Sequence, residues 1–254
     1  MVATARLPVA TIDLPSSYSV WAQGVWGPPQ TLMYDAFEAL GNAGVRSGDL
    51  GMVQSGNAAL MSSTLRRQLL PFQPAPGASA PALPAGYPTS SDEFPARMAA
   101  VAQMIAAGLP LSCVSVSTAS VFDTHESQQA PFEAGLAEAA QTLYAFQRDL
   151  EARGIDGRVL TLVWSEFGRR PQENASAGTD HGAAGCAFVI GTRAAGTMVG
   201  EWAGLAGGLD PLGNLTPTAD FRAVYCALLE QWLGHDATPI IPGAAALTRP
   251  RVVA

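Results

Sequence analysis

Two short apolar runs enclosing a long polar stretch constrain this chain more than any other feature. VLTLVW (Val159–Trp164) and CAFVIG (Cys186–Gly191) are rich in β-branched and aromatic residues, and a turn signal closes each, the pattern of buried strands. Connections in compact domains commonly run about 4–6 residues, and longer ones are usually functional or unstructured. The one between these runs holds Ser165, Glu166, Arg169, Arg170, Glu173, Asn174, Asp180 and His181, the last being one of three histidines in 254 residues. That concentration of acids, arginines, an amide and an imidazole marks a site.

The rest of the chain alternates. LPVATID (Leu7–Asp13) reads as a strand, and the aperiodic segment after it carries Trp21 and Trp26 as packing aromatics. Apolar residues at helical spacing predict helices over about 31–44, 57–70, 92–108, 130–153 and 218–233, with Ser91 capping the third and Gly154 closing the fourth. LSCVSVST (Leu111–Thr118) reads as a strand. The Pro/Ala/Gly-rich segment 72–89 is expected as a surface loop, and the tail from Pro239 as a surface extension. Strand–helix–strand alternation predicts one α/β domain over residues 1–254, a mostly parallel sheet covered by helices on both faces.

Composition removes several function classes. The net charge is −7 and all fourteen basic residues are arginines without a basic stripe, which excludes nucleic acid and anionic membrane surfaces as partners. The uncharged run Met98–Phe122 is broken by Gln103, Gly108 and Pro110, so it reads as helix, turn and strand rather than a membrane span. Cys113, Cys186 and Cys226 are odd in number and form no C-x-x-C pair, so they are expected as buried free thiols. The first residues lack the basic and apolar regions of a secretory signal.

In an open parallel sheet, ligands gather beyond the carboxyl ends of the strands. Asp123-Thr124-His125 follows one predicted strand, Ser165-Glu166 follows the next, and Asp180-His181 precedes a third. Residues two apart on extended backbone share a face, so Asp123 and His125 converge while Thr124 points away. The imidazoles of His125 and His181 with the carboxylates of Asp123, Glu166 and Asp180 suit zinc, manganese or magnesium. A cation would also offset repulsion among the acids. Two ions about 3.5–4 Å apart would clamp both oxygens of a displacement at phosphorus or sulfur. Arg169 and Arg170 offer planar contacts to a tetrahedral anion. Spacing leaves the other readings open: hydrogen-bonded loop histidines, and solvated or ion-paired arginines. Ser165 has no G-x-S-x-G elbow and reads as a hydroxyl orienting Glu166 rather than a nucleophile. His235 reads as an exposed turn residue.

FDTH (Phe122–His125), AFQRDLEARG (Ala145–Gly154), SEFGRR (Ser165–Arg170), ENASAGTDHG (Glu173–Gly182) and TADFRAVY (Thr218–Tyr225) stand in an order and spacing that resemble the family catalogued as domain of unknown function 1501. That family is similar, more distantly, to the alkaline phosphatases and sulfatases. The resemblance implies an alkaline-phosphatase-like fold with a divalent metal site on Asp123, His125, Glu166, Asp180 and His181. It also implies substrate contacts from Arg169, Arg170 and Asn174, a small anionic substrate, and hydrolysis of a phosphate or sulfate ester by an exported protein. A non-catalytic exported binding or assembly protein, or an inactive truncated fragment, retaining the same residues is the alternative. Members carry a longer amino-terminal portion, often after a twin-arginine signal, with a Gly-rich, Asp-containing loop; nothing before Asp13 resembles it. The chain is therefore expected to be the carboxyl-terminal two-thirds of a member, its sheet incomplete at the N-terminus and its nucleophile outside it.

Overall fold

The computed structural model describes residues 27–69, 82–90, 93–109, 111–118 and 122–254. The strand expected at Leu7–Asp13, Trp21, Trp26, the Ser91 cap and most of the 72–89 loop lie outside the described residues. The chain divides between Ser117 and Thr118 into two units.

In the first unit, helix α1 (Gly27–Val45) is followed after a short turn by α2 (Leu50–Leu69). Asp49 caps α2, its carboxylate accepting from Met52 N at 2.9 Å. Small residues set how closely the pair packs. A Cβ on Gly56 would stand 2.5 Å from Gly41 O and 2.6 Å from Val45 N, so the crossing tolerates no side chain there. Glu38 accepts from the buried Ser63 hydroxyl at 2.7 Å and from Arg67 at 2.6 Å, joining the helices at a second point. Helix α3 (Phe94–Ala106) buries Phe94, Met98, Val101, Ala102 and Met104, the face its periodicity marks.

The second unit carries the polar stretch. Helix α4 (Gln129–Ala152) buries Thr142, Ala145, Phe146 and Leu150 and ends at Gly154, whose φ of +67° suits glycine at a helix terminus. Strands β1 (Thr161–Val163), β2 (Gly168–Glu173), β3 (Thr179–Gly182) and β4 (Phe188–Ile190) follow. β1 pairs with β4 antiparallel, Thr161 opposite Ile190, while β2 and β3 form an antiparallel hairpin between them, Arg169 opposite His181. Helix α5 (Phe221–Gln231) starts at Asp220, which accepts from Arg222 N. It packs Cys226 against Ala237 and Ala244, with Leu229, Ile241 and Leu247 around them.

The expected parallel, alkaline-phosphatase-like sheet is not what the described residues form. The described residues contain five α-helices and two antiparallel two-stranded sheets. A parallel neighbour requires a crossover of a dozen or more residues, usually a helix. The residues between β1 and β4 form a hairpin instead, so β4 returns antiparallel to β1. Leu111–Thr118 has the alternation of a strand but pairs with no described strand, and β propensity without a ladder partner does not make a sheet. The tail beyond Pro239 is not an extension either: Ala244 and Val252 are buried, and Val253 bridges to Ala194. Of the cysteines only Cys226 is buried; Cys113 and Cys186 are exposed. No described helix is long and apolar enough to cross a membrane.

Candidate metal centre

Three side chains from two distant stretches meet in the second unit. Asp123 and His125 stand on irregular backbone just before α4, and His181 stands on β3. Asp123 Oδ1 lies 2.7 Å from His181 Nε2 and 3.0 Å from His125 Nε2. The two imidazole centroids are 4.8 Å apart. One ligand atom from each of the three residues lies within 4.8 Å of the others, so the group is able to hold a metal ion. The side chains of Asp123, His125 and His181 are 58%, 48% and 43% exposed, which leaves the group open to solvent.

Arg169 joins the two stretches. From β2, one guanidinium nitrogen donates to Thr179 O on β3 and the other to Phe122 O, next to Asp123. Gln128, preceding α4, accepts from the Thr179 hydroxyl at 2.9 Å and donates to Thr124 O at 3.3 Å. The hairpin needs bare backbone at its open end, where Gly182 faces Gly168: a Cβ on Gly182 would stand 2.6 Å from Arg169 C.

Each imidazole has a partner that fixes its orientation. Phe167 stacks on His181 with centroids 3.8 Å apart and planes 14° from parallel, and the Arg169 guanidinium lies 5.1 Å from the same Phe167 ring. On His125, Nε2 faces Asp123 and Nδ1 stands 3.6 Å from Asp180 Oδ1. A carboxylate behind a ligating histidine is the usual outer partner that sets its tautomer. The His181 hydrogen bond, opposed by partial desolvation, and then His125 hold the Asp123 carboxyl below its ordinary range. The Asn174 amide holds Asp180 below it as well, helped by His125 and the charge of Arg170.

The expected residues therefore separate by position. Asp123, His125 and His181 converge. Asp180 touches the group through His125, and Asn174 sits at the hairpin turn, 3.2 Å from Asp180. Glu166 is exposed on the bend between β1 and β2 and is not among the converging ligand atoms. Arg170 donates to Asn214 Oδ1 at 3.2 Å. Sequence reasoning missed Phe167 and Gln128. The signal for Phe167 was present, since it is the lone aromatic between Ser165 and Gly185; none singled out Gln128.

A cleft of about 480 Å³ beside the group is lined by Asp123, Thr124, His125, Glu126 and Ser176. A separate groove of about 320 Å³ along Val199, Ala223 and Leu247 is mostly apolar and has no comparable set of donor atoms. Two imidazole nitrogens and one carboxylate oxygen fit zinc or manganese better than magnesium, which prefers an all-oxygen shell.

The sequence profile of a family described as Protein of unknown function (DUF1501) matches residues 67–229, more than half of the chain and the whole of the Asp123/His125/His181 group. No curated protein and no solved structure matches the chain.

Proposed function

We propose, from the premise that this chain belongs to the DUF1501 family, that Asp123, His125 and His181 hold a zinc or manganese ion serving hydrolysis of a phosphate or sulfate ester. The observation that carries the reading is the convergence of two Nε2 atoms on one carboxylate oxygen, Asp123 Oδ1. Structural zinc sites are closed by four protein ligands, whereas catalytic ones use three and leave a position for water or substrate. Three ligands with roughly half-exposed side chains match the second pattern.

A bound divalent ion supplies Lewis-acid polarisation and a water acidic enough to act as a nucleophile near neutral pH. The protein's own residues do the rest. Asp123 contributes the negative charge of the ligand set. Asp180 faces Nδ1 of His125 and directs Nε2 toward Asp123. Phe167 holds the His181 ring flat against itself and so fixes its Nε2. The adjoining cleft has room for a small ester, and Arg170 is the cation whose charge reaches Asp180.

One observation favours a second reading, a non-catalytic protein that binds the same ion. Arg169 donates to two backbone carbonyls and Arg170 to Asn214, so both guanidinium groups are engaged by the chain itself. Metal analysis and hydrolysis of aryl phosphates and aryl sulfates by the purified, metal-loaded protein separate the readings. A stoichiometric ion with turnover that Asp123→Ala abolishes supports the hydrolase. A stoichiometric ion without turnover supports the binding protein, and no stoichiometric ion overturns both.

A further inference from the structure

The Asn174 side chain makes four hydrogen bonds beside this site. Its Nδ2 donates to His125 O at 3.0 Å and to Asp180 Oδ1 at 3.2 Å. Its Oδ1 accepts from Ser176 N at 2.9 Å and Gly178 N at 3.1 Å. The two ends of one amide thus do different work. The oxygen shapes the turn between β2 and β3, as asparagine side chains commonly do in tight turns. The nitrogen ties that turn to the segment carrying Asp123 and His125.

The junction it spans is tight and strained. Ser127 N donates to Ser176 O and Gln128 N to Ala177 O, each at 2.9 Å, so two backbone hydrogen bonds join the turn to the segment before α4. A Cβ on Gly178 would stand 2.3 Å from both C and O of His125, backbone atoms that have no room to yield. Two non-glycine residues at this junction adopt positive φ, Ser127 at 43° and Ala177 at 56°. Left-handed backbone at such residues costs about 1–3 kcal/mol each and persists where the surroundings over-determine it, commonly at functional sites.

We infer that Asn174 is the positioning residue of the centre. Its Nδ2 sets the place of His125 through the His125 carbonyl, and sets the Asp180 carboxylate that faces His125 Nδ1. The consequence for metal binding rests on the reading proposed above; the positioning itself does not. Asn174→Asp separates the two ends of the amide, because it keeps an acceptor for Ser176 N and Gly178 N but loses the donor and sets a carboxylate against Asp180.

The test combines zinc titration with the imidazole ¹⁵N spectrum of the metal-free protein, on wild type, Asn174→Asp and Asn174→Ala. Asn174→Asp is expected to bind zinc about 10–100-fold more weakly, and to shift the His125 ring resonances while leaving those of His235 in place. Asn174→Ala, lacking the turn acceptor too, is expected to lose melting temperature in addition. Unshifted His125 resonances in Asn174→Asp, or unchanged zinc affinity where wild type binds zinc, overturn the inference. If wild type binds no zinc but His125 still shifts in the variant, the positioning stands and the metal reading alone fails.

Discussion

Asp123 and His181 stand 58 residues apart in the chain and 2.7 Å apart in space. The distance is short because the β2–β3 hairpin folds back onto the segment before α4 and places β3 beside Asp123. A contact that depends on the fold to this degree is absent from the unfolded chain, so an ion held by it binds the native state alone. Such an ion stabilises the native state by mass action, about 2.7 kcal/mol at a concentration one hundred times its dissociation constant.

His181→Ala is accordingly expected to abolish stoichiometric zinc or manganese binding and the rise in melting temperature that the metal confers. The metal-free protein should melt within a few degrees of wild type, because the His181 side chain is substantially exposed. His235→Ala is the control, since that residue follows α5 and is anchored by its backbone N to Leu229 O. Calorimetric titration of the three proteins checks it. Equal affinity in wild type and His181→Ala would remove His181 from the ligand set.

The local pattern around this centre could be read in the sequence. The D-x-H spacing does bring Asp123 and His125 together, though on irregular rather than strand backbone, and the suspiciously long connection does contain His181. The partner of each strand could not be read. VLTLVW and CAFVIG look the same whether they pair in parallel or antiparallel. The deciding fact, that the residues between them fold into a hairpin, rests on the tie from Arg169 to Thr179 and on the bare backbone of Gly182 against Arg169. Both are contacts rather than composition. Glu166 shows the same limit, since adjacency in sequence put it beside the site while the bend turns Phe167 toward His181.

Arg169 carries a stability prediction. Its guanidinium donates to carbonyls on both sides of the centre, Thr179 O and Phe122 O, and hydrogen bonds from a charged donor contribute about 1.5–3 kcal/mol each when partly buried. Partial exposure here puts the expected total for Arg169→Ala at about 2–3 kcal/mol of unfolding free energy. Arg169→Lys should recover less than half of it, because a single ammonium lacks the planar fork that spans two carbonyls. Urea unfolding measures both. A loss below about 0.5 kcal/mol, typical of a surface position, would show the tie to be dispensable.

Glycine substitutions discriminate the hairpin from an ordinary loop. A Cβ on Gly168 would stand 1.8 Å from Ala184 O, and one on Gly182 would stand 2.6 Å from Arg169 C, so either alanine must displace backbone. Each is expected to cost about 1–3 kcal/mol, as overpacking commonly does. Gly157→Ala has nothing within 4 Å of the new Cβ and should be neutral or slightly stabilising through the unfolded chain. Parallel thermal melts rank the three, and a ranking with Gly157→Ala as the most damaging would contradict this packing.

The pH dependence of stability should report the docking of the C-terminal tail. Arg249 grips Glu230 through Nε at 3.0 Å and through a terminal nitrogen at 2.7 Å, and the same guanidinium donates to the carbonyls of Ala244 and Leu247. The Arg249 hydrogen bond, opposed by partial desolvation, holds the Glu230 carboxyl below its ordinary value of 4.5. A folded-state value below the unfolded one means that the unfolded chain binds this proton more readily. The contribution is then fully present above about pH 4.5 and is lost as pH falls through the lower folded value. Wild type should therefore exceed Glu230→Gln in urea midpoint by a constant margin from pH 7 to 5, and the margin should shrink steadily below 4.5. Because the pair is partly exposed, added salt should reduce the margin at neutral pH as well. An undiminished margin at pH 3 would mean that the carboxylate charge is not what Arg249 recognises, and that the neutral amide fails for reasons of shape alone.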